Sequence, residues 1–314
     1  MAEAMGLDFL ACSGYNDSQF RWENAVNGEH TCRRFEGPRG GRRSAFTLIE
    51  LLVVIAIIAL LMAILMPGLN KARKLARSAV CRAHLRQWGT VFHLYTTDNN
   101  SRFWTEQNVW ATGEPQGNWM LMLSAMYGDV DKARLCPSAS RLNGPEGGVG
   151  TTDCQWGPGP IMQNHRFIDE PDKVYGSYGI NFWINSVEPP SINGWRGQPD
   201  RQWKTIDVKH PAHVPMVSDC TWFGANPFSL NDSSYSANAG KPTPIRYWWE
   251  SKDPIGFGEW DWDMARYVID RHSRGINVAL MDGSSQKVFL GDLWSYKWHR
   301  EFELVYDVEI PWLN

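Results

Sequence analysis

His272 stands ten residues before the Asp-Gly pair Asp282-Gly283, and Asp219 is a further carboxylate in the same aromatic half of the chain. An imidazole beside one or two carboxylates can pass a proton or help hold a hard cation, so His272, Asp282 and Asp219 form the first candidate site. A structural role competes with it. Residues 276–281 and 286–290 read as two strands of a hairpin around Asp282-Gly283-Ser284-Ser285. Gly283 would supply the positive φ of the turn, Asp282 would bond its own backbone, and His272 would cap or bridge a neighbouring strand. Glu259 with Asp261 or Asp263 offers paired carboxylates, but acidic residues between tryptophans need no catalysis to exist. The chain has no G-x-S-x-G, no H-E-x-x-H and no G-x-x-x-x-G-K, and it is expected not to be an enzyme.

A different kind of chemistry is carried by Glu50, the one charge within the apolar run 46–66 that follows a basic patch ending in Arg42 and Arg43. At about 1.5 Å per residue that run is long enough for a helix to cross a bilayer. A charge at the centre of such a helix costs about 2.5–3.5 kcal/mol and is usually paired. One turn inside the helix, Glu50 could accept the charge of an amino terminus at Phe46, its own or a neighbour's. Pro67 removes a helix hydrogen bond and should kink or loosen the helix.

The elements that position these residues follow from periodicity. Beyond Pro67, Leu69, Ala72, Ala76, Val80, Ala83, Trp88, Phe92 and Tyr95 keep helical spacing. The spacing predicts a helix of about 75 Å from Phe46 to Tyr95, its second half laid on a globular domain, with a stop at 97–101. Strands are predicted at 177–183, 213–218, 276–281 and 286–290, a short helix at 118–127, and long surface loops at 142–160, 187–200 and 223–244. The expected fold class is α+β: a long amino-terminal helix, first transmembrane and then amphipathic, packed on an antiparallel sheet with large loops. The expected divisions are a leader at 1–45, a transmembrane part at 46–66, an amphipathic continuation at 67–97 and a β-rich domain at 98–314. The leader is long for its kind, and an internal start is one reading of it.

Charge and cysteine usage narrow the partners. A formal net charge of −3 gives no electrostatic case for nucleic acid. Beyond residue 45 the cysteines are Cys81, Cys136, Cys154 and Cys220, which allow three pairings. Export would permit a bridge, and Cys136 with Cys154 would close a Gly-rich loop; unbridged, buried thiols are the alternative. No paired C-x-x-C is present, so structural zinc is not expected from the spacing. Seventeen tryptophans are many for 314 residues. Trp248, Trp249, Trp260 and Trp262 lie close together, as do Trp294 and Trp298. Exposed, they would stack on sugar rings as a polysaccharide contact; buried, they would build the core.

The segment Phe46-Thr47-Leu48-Ile49-Glu50, with the basic stretch before it, resembles the processing signal of bacterial type IV pilins and type II secretion pseudopilins. The resemblance implies cleavage between Ala45 and Phe46 by a prepilin peptidase, methylation of the new amine, and Glu50 as fifth residue of the mature chain. It also places Pro67 where such helices carry a proline. The family usually has Gly where this chain has Ala45. The spacing of His272, Asp282 and Gly283 resembles the H-x9-D-G motif of secreted proteins that carry this signal, and 135–138 is similar to a segment found there. What the resemblance implies is a pseudopilin-like structural subunit that assembles through Glu50 and Pro67 with other pilin-like subunits and an inner-membrane assembly platform. Its location would be the bacterial inner membrane, in contact with lipid, with a cytoplasmic amino end and the globular domain periplasmic or extracellular. Pseudopilins of the type II kind use calcium, which makes calcium the ion to test at His272, Asp282 and Asp219, although no cofactor is required by the sequence. The alternative is a membrane-tethered carbohydrate-binding or polysaccharide-processing protein that uses the signal only for export and anchoring.

Overall fold

The computed structural model describes residues 47–104, 119–128, 131–141, 150–159, 161–163, 166–168, 174–186, 200–232 and 264–313. Helix α1 spans Leu48–Asp98 and carries Pro67 within it. Its apolar part is exposed on every side, from Leu48 and Ile49 through Leu60 and Ile64 to Met66. A helix that is apolar all round and unburied has the length and composition to cross a membrane. The chain divides into two compact units, 1–65 and 66–314.

Within the second unit, α1 turns from uniformly apolar to one-sided. Ser78, Cys81, Leu85, Trp88, Gly89, Val91, Phe92 and Thr96 are buried, a stripe at the helical repeat. The seam differs from the one expected from apolar residues alone, because Leu69 and Val80 are exposed. Polar Ser78 takes a core position because its hydroxyl meets Asn277 at 3.3 Å. Trp88 donates its indole N–H to the Ala133 carbonyl at 2.8 Å. Its ring meets Trp119 and Tyr127 edge on. The two short helices α2 (Trp119–Met122) and α3 (Ser124–Tyr127) supply those rings.

The strands are β1 (Trp156–Gly159), β2 (Ile161–Gln163), β3 (Arg166–Ile168), β4 (Val174–Gly176), β5 (Tyr178–Asn181), β6 (Pro215–Asp219), β7 (Gly224–Ala225), β8 (Gly275–Leu280) and β9 (Ser285–Phe289). The main sheet has the order β7-β5-β6-β8-β9; β1 pairs with β4 and β2 with β3 in two small ladders. The main sheet is antiparallel except at its edge, where β7 runs parallel to β5. Alternation along β8 builds two cores. Ala279, with Met281 just beyond the strand, joins the cluster that contains Leu85, Trp88 and Phe92 of α1. Ile276, Val278 and Leu280 join Leu293, Trp294, Trp298 and Phe302 on the opposite face. Helix, sheet and carboxy-terminal segment thus form three layers, giving the α+β class.

The β8–β9 turn brings the sheet's backbone against the helix. Gly283 has φ +80°, and its backbone lies so near Gly89 that a Cβ there would come within 3.3 Å of it. Asp282 accepts hydrogen bonds from the Ser284 amide and hydroxyl at 2.9 and 2.6 Å, the local turn expected of Asp-Gly. The seam therefore carries the fold's stability. Trp88→Ala, removing a side chain only 1% exposed, should cost about 3–5 kcal/mol in denaturant unfolding of the full chain in detergent. Leu75→Ala, at a position 64% exposed, should change stability by less than about 0.5 kcal/mol.

Candidate functional sites

Among the described residues, chemistry is carried by the start of α1 and, in the second unit's core, by a buried ionic cluster.

At the start of α1, Thr47 and Glu50 form a reciprocal cap. The Thr47 amide and hydroxyl both donate to Glu50 Oε2 at 2.8 Å, and the Glu50 amide donates to Thr47 Oγ1 at 3.3 Å. The arrangement T-x-x-E satisfies amides that the first turn of a helix leaves unpaired, and it fixes the Glu50 carboxylate at the helix's positive end. Glu50 is exposed. The carboxylate is thereby held against Thr47, the first of the described residues. Ala45 and Phe46 themselves are outside the described residues. Pro67 lies inside α1 with helix on both sides.

The second site begins with Asp219, at the end of β6 and with no exposed side chain. Its Oδ2 accepts the Asn277 amide at 2.8 Å. Its Oδ1 accepts Arg271 Nη1–H at 3.2 Å, and His272 Nε2 lies 3.1 Å from Oδ2. The Cys81 thiol, on the buried stripe of α1, is 3.6 Å from both oxygens. Cys136 Sγ is 3.3 Å from His272 Nε2. Cys136 is itself fixed by its amide, which donates to Ser177 Oγ, while the preceding carbonyl of Leu135 lies 3.1 Å from His84 Nδ1 on α1. Arg271 also donates to the carbonyls of Thr151, Thr152, Ser177 and Cys220, so this buried guanidinium is fully engaged.

Charge complementarity sets the protonation here. Burial alone would raise the Asp219 carboxyl, but the His272 imidazolium and the Arg271 guanidinium hold it down at about 2. Burial would lower His272, and the Asp219 carboxylate raises it to about 9. Burial would raise the Cys136 thiol, whereas hydrogen bonds from Cys81 and His272 bring it to about 6. Cys81 is pushed well up, first by burial. The cluster therefore holds a carboxylate and a thiolate against an imidazolium and a guanidinium. One His272 nitrogen faces both anions, so it cannot relay a proton from one to the other as a catalytic triad would. All of these side chains are buried.

Of the residues expected to bind a cation, the structure brings His272 and Asp219 together and leaves Asp282 out. His272 precedes β8 and Asp282 follows it, and the six residues of β8 span about 20 Å at about 3.3 Å each. The exposed Asp282 is occupied by Ser284 instead. The expected Cys136–Cys154 bridge is also corrected. The four cysteines among the described residues are unbridged; Cys136 points to His272, while Cys154 pairs through its backbone with Arg141. Cys81 and Arg271 were missed as site residues, and Cys136 was expected only as half of a bridge. The signal for Cys81 was its place on one helical face with Leu85, Trp88 and Phe92. Trp294 and Trp298 are core residues, 0% and 1% exposed. Trp248, Trp249, Trp260, Trp262, Glu259, Asp261 and Asp263 fall outside the described residues.

Residues 41–66 match the family model of the prokaryotic N-terminal methylation motif. Over 56 residues the chain is 54% identical to the type IV wide pilus major component PilA4 of Thermus thermophilus, a stretch that covers 18% of this chain and 43% of that protein. The chain thus spans less than half the length of that curated relative. No solved structure matches the chain. The chain carries a prepilin-type methylation motif on an apolar helix suited to anchoring it in a membrane, and it is similar there to a type IV pilin.

The signs of the pKa shifts give a pH prediction. Stabilisation from His272 is full below its ordinary 6.5 and is lost as pH rises through about 9. Cys136 acts oppositely: its contribution is full above 9.0 and is lost as pH falls through about 6. Asp219 contributes fully above 3.8 and loses its contribution as pH falls through about 2. With a chelator present, so that only protons compete for these groups, the first two limbs oppose each other. Stability should be nearly flat from pH 6.5 to 9, whereas Cys136→Ser should expose the His272 limb and decline steadily over that range. A variant profile as flat as the parent's, measured by denaturant unfolding, contradicts this assignment. Asp219→Asn, which strands two buried cations, should cost about 3–5 kcal/mol.

Proposed function

We propose that this protein is a pilin-like filament subunit, cut before Phe46 by a prepilin peptidase, methylated at the new amine, and assembled through its amino-terminal helix. The observation that carries this reading is the match of residues 41–66 to the methylation motif. The capped geometry of Glu50 supports it. A carboxylate fixed at the first turn and exposed beside an apolar helix is costly in lipid until it meets a cation, and the ammonium of a neighbouring subunit at Phe46 is such a cation. Pairing neutralises both charges, sets the stagger between adjacent helices, and lets their apolar faces bundle. N-methylation keeps the amine cationic, so it preserves this pairing.

On this reading the partners are the peptidase, other pilin-like subunits, an inner-membrane platform and lipid. The amino end is cytoplasmic until assembly and the domain beyond Pro67 lies outside. The machine served is of the type II secretion or type IV pilus kind. The role is structural, with no catalytic step assigned to the chain.

Glu50→Ala tests the assembly step. The variant should insert into the membrane and be cleaved as the parent is, yet fall at least about tenfold in the filament fraction pelleted from sheared cells, since a charge pair in low dielectric carries well over the 1.4 kcal/mol that a tenfold change requires. Normal recovery of Glu50→Ala in filaments would refute assembly through Glu50.

A further inference from the structure

Cys81, Cys136, Asp219 and His272 each present one ligand atom, and these four atoms all lie within 4.8 Å of one another. In a tetrahedral shell with metal–sulfur bonds of about 2.3 Å and metal–nitrogen or metal–oxygen bonds of about 2.1 Å, a sulfur stands about 3.6 Å from a nitrogen or oxygen neighbour, and nitrogen about 3.4 Å from oxygen. The corresponding edges here are 3.6 Å from Cys81 Sγ to the Asp219 oxygens, 3.3 Å from Cys136 Sγ to His272 Nε2 and 3.1 Å from Nε2 to Asp219 Oδ2. Each agrees within a few tenths of an ångström. Three of the six donor–donor edges thus match a ligand shell, and the other separations stay within 4.8 Å.

We propose that Cys81, Cys136, His272 and Asp219 form a structural zinc site that joins helix α1 to the sheet. The donors select the ion. Two sulfurs and an imidazole suit a borderline-soft cation, whereas calcium takes six to eight oxygens and this cluster has one carboxylate. Four protein ligands with no exposed position make a closed site, the structural rather than the catalytic kind. The outer shell is also in place, since the Asn277 amide and Arg271 orient Asp219. Charge balances as well: two thiolates and a carboxylate are neutralised by a divalent ion together with Arg271. On binding, the metal displaces the thiol proton of Cys81 and the Nε2 proton of His272, which leave to solvent.

The four ligands come from α1, the 131–141 segment, the end of β6 and the approach to β8. One ion would therefore cross-link every layer on the helix side of the sheet. Asp282 takes no part. Neither cleavage nor filament assembly is needed for the ion to bind.

The test uses the full-length chain, untagged, in detergent, with its thiols alkylated at lysis in one portion. Elemental mass spectrometry should find one zinc ion per chain in the parent and in Asp282→Asn, and at least about a tenfold loss in the double variant Cys81→Ser, Cys136→Ser. Should the double variant fail to fold, the parent reconstituted with Co2+ still decides the matter. It should show the intense visible bands of tetrahedral cobalt and a sulfur-to-cobalt charge-transfer band. Any of four results overturns the site: no bound metal with both thiols reduced, a Cys81–Cys136 disulfide in the alkylated portion, the weak spectrum of six-coordinate cobalt, or zinc retained by a folded double variant.

Discussion

A carboxylate without solvent needs cations and hydrogen-bond donors, and in this protein those that satisfy Asp219 come from separate parts of the chain. The Asn277 amide belongs to β8, Arg271 and His272 to the segment before it, and the Cys81 thiol to α1. Leaving any of these behind strands a buried charge, at a cost of several kcal/mol. The layers are thus bound to one another by a requirement of charge, beyond what apolar packing alone imposes. Arg271 extends the effect by reaching the carbonyls of Thr151, Thr152, Ser177 and Cys220, so that segments with little apolar surface of their own are drawn to the same point.

The long helix meets two different solvents. Up to Met66 its side chains are apolar and exposed on every side, which only lipid or like helices can satisfy. From Ser78 onward one stripe is buried, and the exposed remainder mixes polar residues with a few apolar ones such as Val80 and Leu94. The helix therefore needs no change of backbone to pass from anchor to framework; a change of side chains does it. Glu50 and Asp219 show one physical rule at the two ends of this design. Each is a carboxylate placed where it must find a cation. Asp219 finds its cations within the fold, and the reading given to Glu50 assigns it a cation from the next subunit.

Helix α1 and the β8–β9 hairpin were legible because both depend on short-range patterns: the 3.6-residue repeat from Leu85 to Phe92, and alternation on either side of Asp282-Gly283. The exact seam was not, since counting apolar types favoured Leu69 and Val80 over Ser78, whose burial depends on a partner, Asn277, far along the chain. His272 and Asp219 could be guessed as a pair from their chemistry. Asp282 was a poor third member because a strand carries its two ends apart, a limit that the spacing itself implies. Cys81 and Cys136 were invisible as ligands because no local motif joins them; only the folding of α1 onto the sheet makes them neighbours. The H-x9-D-G spacing gains a physical meaning from this. It covers the six residues of β8 and a short flank at each end, with His272 at the ionic cluster and Gly283 seated on Gly89 of the helix.

Filament assembly through Glu50 requires processing at the amino end, and intact and amino-terminal peptide mass spectrometry on membrane and filament fractions measures that directly. A mature chain that begins at Phe46 and carries a single added methyl group on its amine is the predicted result. A chain that keeps residues 42–45, or that is cut elsewhere, would contradict the account and leave the apolar helix as an anchor alone.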